Sequence, residues 1–309
     1  MPRTHFYPSR SARTAGLFLV LLALITALPC GAARAARLSQ ADVLRIEINI
    51  AGRQRMLSQR IASAACLLSL GIDSETHELA LLEAQQIYRT TLDRLEKGDP
   101  LVGLPPASDF PTRMRLAEAR FVWNPIDRAI DRVLSGEASR AEMLAVAAKG
   151  APLLEVSKAI VTALVAQAAG GGDLALAHAI DMAGRQRMLS QSTVALGCMI
   201  TEAEDGGFDR AALADKLHAA IALFDDSAAT LRAGSAEAQI AAPPGADAAQ
   251  ALERAAESWS RIRPILATAA DSQTLDPATL ADLSERYELL LPELEDVVWF
   301  YVNRSGAQP

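Results

Sequence analysis

A stretch of nine residues occurs twice in this chain, and that repetition limits the fold more than any local propensity does. Residues 48–59 read INIAGRQRMLSQ and residues 180–191 read IDMAGRQRMLSQ, so Ala51–Gln59 and Ala183–Gln191 are identical at an offset of 132. Cys66 and Cys198 keep the same offset. Weaker echoes follow at slightly larger offsets, as small insertions produce. Leu104-Pro105-Pro106-Ala107 answers Ala242-Pro243-Pro244-Gly245, Trp123 answers Trp259, and Pro152-Leu153-Leu154-Glu155 answers Pro292-Glu293-Leu294-Glu295. The echoes run through most of both halves, which identifies a tandem duplication. Whatever one copy folds into, the other must be able to fold into as well.

Each copy reads as four helices. Helical periodicity covers residues 40–71, 74–97, about 112–134 and about 139–168 in the first copy. It returns at about 173–204, 209–232, 247–270 and 277–302 in the second. The breakers are Gly71-Ile72-Asp73, the proline-rich stretch Pro100–Pro111, and Ser135-Gly136. Gly170-Gly171-Gly172 separates the copies, with Asp173 as N-cap of the next helix, and Pro277 suits a first helical turn behind Asp276. No segment alternates with period two long enough to make a strand. The expectation is an all-α chain of two tandem up-and-down four-helix bundles, because short loops make successive helices antiparallel neighbours. The first bundle is assigned to residues 36–170 and the second to 171–309.

Residues 1–35 read as an address. Arg3, His5, Arg10 and Arg13 precede an apolar run from Ala15 to Leu28, and small residues lead to Ala33-Arg34-Ala35. That is the pattern of a cleavable signal peptide, with export of the chain that follows; a spanning helix needs about 20 apolar residues, so retention as an N-terminal membrane anchor is the alternative. Pro29 directly before Cys30 argues against a lipoprotein site. The whole chain carries 30 basic and 37 acidic residues, but the leader holds four arginines and no acid, leaving 26 against 37 in the mature chain. A surface that acidic excludes nucleic acid as a partner. His77, His178 and His218 have no companions at metal-ligand spacing, and there is no nucleophile elbow, phosphate loop or HExxH arrangement. Neither an enzyme, a metal site nor a cofactor is expected.

The repeated segment has two distinct faces. At 100° per residue, Ile48, Ala51, Arg55, Gln59, Ala62 and Cys66 lie within about 40° of one line, and Gly52 stands beside it. Ile46, Ile50, Arg53, Leu57, Ile61, Ala64 and Leu68 form the opposite, mostly aliphatic side that suits the core of the copy's own bundle. The second copy repeats the small-residue face with Ile180, Ala183, Arg187, Gln191, Val194 and Cys198. An even number of helices per copy lets the two motif helices run parallel. If they meet through the small faces, Arg55 and Arg187 converge across a pseudo-two-fold axis. Two guanidiniums about 6 Å apart repel by roughly 3 kcal/mol at an effective dielectric near 20. Neither has an acid three or four residues away on its own helix. A planar oxyanion between them is one reading; pairing with acids on other helices is the ordinary one.

AGRQRMLSQ on the first helix of an exported four-helix unit resembles the PilJ/NarX-type periplasmic sensor domain, the N-terminal domain of type IV pilus chemotaxis transducers and nitrate/nitrite sensor kinases. The resemblance covers both copies. It implies ligand binding by paired motif helices that clasp nitrate or nitrite between symmetry-related arginines at a dimer interface. Carried onto this sequence, the implied ligand-binding residues are Gly52, Arg55, Gln59, Gly184, Arg187 and Gln191, with Ala51, Arg53, Arg60, Ala183 and Arg185 as additional ligand or helix-packing positions. Arg60 fits the second arginine of the NarX-like signature, whereas the second copy has Ser192 there, which makes the pair asymmetric. Family sensors place a membrane helix and a signalling module after the bundle, and this sequence ends at Pro309 without either. The expectation is a soluble periplasmic module that binds a small anion and acts through a separate membrane sensor or periplasmic protein. A homodimer is a further option, since the paired copies could come from one chain or from two. The competing class is a structural helical protein whose motifs only pack helices.

Two further features carry expectations. Cys66 and Cys198 share the close-packing face, so a disulfide between them is open to an exported chain, but two small buried thiols is the favoured reading. Trp123 and Trp259 are expected as core anchors, and the Val297–Val302 cluster as the closure of the second bundle.

Overall fold

Side-chain caps set where the helices begin in the computed structural model, which describes residues 38–169, 173–272 and 274–303. The signal-peptide assignment at 1–35 and the glycine run at 170–172, where the copies are divided, lie outside the described residues. Helix α1 (Gln40–Ser69) starts from a reciprocal capping box between Ser39 and Asp42. α2 spans Ser74–Lys97, and α3 (Phe110–Leu134) is capped by Asp109 on the Thr112 amide. In the second copy Asp173 caps α6 (Leu174–Thr201), Asp209 caps α8 (Arg210–Ala233), and Asp276 caps α10 (Pro277–Val302) with Pro277 in its first turn. α9 runs from Ala246 to Ser272. Among the described residues there are no strands, only isolated bridges at Asp99–Leu104 and Ser235–Ile240 in the matching proline-rich loops.

The expected fourth helix of the first copy is divided. α4 (Arg140–Ala148) ends at Lys149, and α5 (Gly150–Ala168) starts at once. The break falls where Gly150 backs onto α1: a Cβ there would meet the Ala62 Cβ at 2.6 Å and the Ser58 carbonyl at 3.1 Å. It also places Pro152 in the first turn of α5, where a missing N–H costs nothing. In α10 the matching Pro292 sits inside an unbroken helix. A second departure follows α6, where a single turn, α7 (Ala203–Gly206), closes on Gly207 in the left-handed region at φ 64°.

α1 and α6 form the centre of the molecule. α1 packs on α2, α4, α5 and, most extensively, α6; α6 packs in turn on α8 and α10. Both are buried nearly all round, including the polar Gln54, Ser58, Gln186 and Ser190. The buried glutamines do the same work in each copy. Gln54 donates to the Tyr88 carbonyl and the Thr91 hydroxyl, and Gln186 to the Phe224 carbonyl and the Ser227 hydroxyl. Each second helix is thereby fixed to its motif helix by the donor end of a buried amide. The tryptophans anchor both cores as expected: Trp123 stacks on Tyr88 at 4.3 Å, and Trp259 on Phe224 at 3.8 Å. Val297, Val298 and Tyr301 close the second bundle, while Trp299 remains 58% exposed.

The register of the central pair follows from two contacts at the same offset. Gly52 faces Gly184, and Cys66 is bonded to Cys198, so α1 and α6 run parallel and in step. The disulfide corrects the expectation of two free thiols. The small residues of the seam bring the two Cα atoms to 6.2 Å, within the ordinary range for a bridge. Arg140–Ala168 is long and apolar enough to cross a membrane, although it is split at Lys149 and packs its apolar side on α1 and α3.

The bridge joins positions 132 residues apart, so cutting it releases a long loop in the unfolded chain. Reduction, or Cys66→Ala with Cys198→Ala, is expected to lower stability by about 2–4 kcal/mol in denaturant titration. Thiol counting on unfolded, unreduced residues 36–309 should find none.

Candidate functional site

Glycine makes the central contact possible. A Cβ on Gly52 would lie 4.0 Å from the Gly184 Cα and 3.4 and 3.5 Å from the guanidiniums of Arg55 and Arg187. A Cβ on Gly184 would lie 3.1 and 3.4 Å from the same two groups. Both arginines therefore fill the space that the two glycines leave open. Ala51 and Ala183, buried beside them, keep the backbones close. Arg187 has no exposed surface and Arg55 only 4%.

The expected convergence of arginines is present, and the chain itself supplies anions to them. The Arg55 guanidinium donates to the Asp181 carboxylate at 2.6 Å and to the Asp181 carbonyl at 3.1 Å. Arg187 donates to Glu295 of α10 at 2.7 Å and to the Asn49 side-chain oxygen at 3.0 Å. Asp181 and Asn49 hold the same position in the two copies, six residues before the arginine of their own helix. Each therefore reaches the arginine of the other helix. Because Asn49 carries no charge, Arg187 draws its carboxylate from α10 instead.

The flanking arginines complete the pattern. Arg185 donates to Asp181 at 3.0 Å and Arg53 to Glu295 at 3.0 Å, so each carboxylate is shared by two guanidiniums. Four arginines thus face two acids across the seam, a local excess of two positive charges. Burial lowers the pKa of both Arg55 and Arg187, and Asp181 and Glu295 respectively oppose that shift. Burial would raise the two carboxyls; Arg55 with Arg185, and Arg187 with Arg53, outweigh it and hold both below their ordinary values. The Nε of Arg55 and of Arg187 is buried and has no hydrogen-bond partner among the described residues. A buried donor left unmade is costly, so each guanidinium retains capacity for an acceptor.

The remaining implied residues lie elsewhere. Gln59 turns away to donate to the Gly150 carbonyl at 3.0 Å, where it holds the α4–α5 break against α1. The Gln191 amide nitrogen has no partner among the described residues, and Gln191 borders a cleft of about 10 Å³ beside Tyr287 and Glu288. Arg60 makes a two-pronged pair with Glu288 at 2.8 and 2.9 Å, tying α1 to α10. Asp181, Glu295 and Asn49 were missed by sequence reading. The Asn49/Asp181 difference within otherwise matching segments was a visible signal, and so was Glu295 on the Pro-x-x-Glu echo.

The model of the family described as PilJ, type IV pili methyl-accepting chemotaxis transducer N-term, matches residues 38–148 and 173–285. The chain belongs to this family, in two tandem copies, and the family is a sensory, non-catalytic one. A comparison with curated proteins gives no match.

The geometry ranks the ion pairs. Glu295→Ala strips the full charge partner from a wholly buried arginine and is expected to cost about 3 kcal/mol, whereas Glu288→Ala, at a partly open pair, should cost about 1 kcal/mol or less. Because Asp181 and Glu295 titrate below their ordinary values, their contribution is complete above about pH 5 and is lost as the pH falls through the depressed values. The acid limb of a stability–pH curve should accordingly be steeper for the wild type than for Glu295→Gln.

Proposed function

We propose that this tandem PilJ-family chain is an exported ligand-binding module that holds a small oxyanion of the nitrate or nitrite type at the Arg55–Arg187 seam. Its two units, residues 36–170 and 171–309, supply both halves of the site within one polypeptide. A membrane or periplasmic signalling partner reads the bound state. The observation that carries the proposal is the pair of buried guanidiniums meeting over Gly52 and Gly184, each with an unpartnered Nε. The excess of two positive charges favours an added anion, and a planar guanidinium matches a planar oxyanion in geometry.

A second reading has its own support. Asp181 and Glu295 already neutralise one charge each at the two arginines, as a purely structural seam requires. In that case the motif packs helices and binds no small ligand. The two readings differ in what added anion does to stability.

Thermal unfolding of the mature chain in low-chloride buffer separates them. Under the binding reading, nitrate or nitrite at 100 times its dissociation constant adds about 2.7 kcal/mol. Calorimetric titration should show one site per chain. Arg55→Lys and Arg187→Lys keep the charge but lose the planar fork, and each should weaken binding about tenfold or more. If nitrate, nitrite and other small oxyanions produce neither heat nor a shift in midpoint, the structural reading stands.

A further inference from the structure

A groove of about 730 Å³ opens over α6 between α5 and α8, with Arg55 at its inner end. It lies on one side of the pseudo-two-fold only in this open form. On the other side Arg60 and Glu288 cross from α1 to α10, and Arg53 reaches Glu295. The position equivalent to Arg60 is Ser192, which borders the groove. The Arg60-to-Ser192 difference between the two motifs therefore removes a long side chain from the wall of this groove.

The charged lining is concentrated and predominantly positive. Arg55, Lys158 and Arg185 face a single carboxylate, Asp181, which Arg55 and Arg185 already share. Lys158 also pairs with Glu155 at 2.8 Å, but both side chains are open to water and that pair is weak. His178 stands at the rim, with Nδ1 3.2 Å from the Gln239 carbonyl oxygen. Apart from the hydroxyls of Thr162 and Ser192 the remaining wall is apolar, with Leu154, Val161, Met182 and Leu223 on it. The volume and the apolar wall are those of an organic-ligand pocket, and a three-oxygen ion would leave most of it to water.

We infer that this groove binds an amphipathic organic anion, a single carboxylate on an apolar body, with its charged end at Arg185, Lys158 and the Arg55–Asp181 pair and its body along α5 and α8. The inference deepens the proposed function by giving one open side of the arginine seam its own ligand class. It rests on that reading only for the role of Arg55.

The probe is octanoate, titrated calorimetrically into the mature chain beside acetate, octanamide and nitrate. Octanoate should bind at one site per chain. Acetate, lacking the apolar body, and octanamide, lacking the charge, should each bind at least about tenfold more weakly. Ala219→Trp places a large ring at an exposed position of the groove wall and should abolish octanoate binding while leaving the nitrate response intact. Lys158→Glu reverses a charge at an accessible position and should weaken octanoate about tenfold or more, independently of how Ala219→Trp folds. Octanamide binding as well as octanoate, or octanoate binding unchanged in the folded Ala219→Trp or Lys158→Glu variant, would overturn the inference. No octanoate binding with a preserved nitrate response overturns the groove alone. Octanoate binding without a nitrate response overturns the small-oxyanion reading and leaves the groove assignment standing.

Discussion

Two helices approach closely at Gly52 and Gly184, and each brings a buried arginine to the point of contact. Everything around the seam answers that placement of like charge. Two cations in a water-poor environment cannot remain adjacent without carboxylates, and neither helix carries an acid where its own arginine could use it locally. Asp181 crosses from the partner helix, and Glu295 comes from the fourth helix of the second copy. α10 is therefore held by electrostatics as well as by packing. The flanking Arg53 and Arg185 then share those carboxylates, which orders the side chains and restores a positive excess.

Duplication supplied the symmetry, and a few substitutions broke it in a directed way. Asn49 against Asp181 decides that one arginine finds its charge on the neighbouring motif helix and the other on α10. Arg60 against Ser192 decides that one flank is crossed by an ion pair and the other is open. The division of α4 from α5 belongs to the same drift. Gly150 lets that helix press onto α1 and accept from Gln59, while in the second copy Gln191 is left without such an acceptor. The identical nine residues thus sit in two different environments, and their chemistry differs accordingly.

The helices were legible because local signals specify them. Asp173 and Asp276 cap α6 and α10 where the sequence places helix starts, and Gly71, Gly98, Gly136 and Gly234 stand at the ends of α1, α2, α3 and α8. The small-residue face was legible through its period, and with it the meeting of Arg55 and Arg187. The partners of those arginines were not, because Asp181 and Glu295 are distant in sequence and become neighbours only through packing. The break at Lys149 was hidden for the same reason, since the cause is a contact between Gly150 and Ala62 rather than any local preference. Cys66 and Cys198 could be placed on one face in one register, but a covalent bond needs a separation that only the finished seam provides.

That bond also limits how the central pair can move. Cys66 lies eleven residues beyond Arg55 along α1, about 16 Å at helical rise, and Cys198 lies equally far beyond Arg187. With the far end of both helices pinned to each other, sliding one past the other like a piston is blocked. What remains is a scissor motion about the cystine, with the arginines a little under halfway along the blades. A rotation of about 4° there carries the guanidinium end by roughly 1 Å on that arm. Under the proposed anion binding, filling the seam would draw the blades together and emptying it would let them spread, a change in angle set by a change in charge.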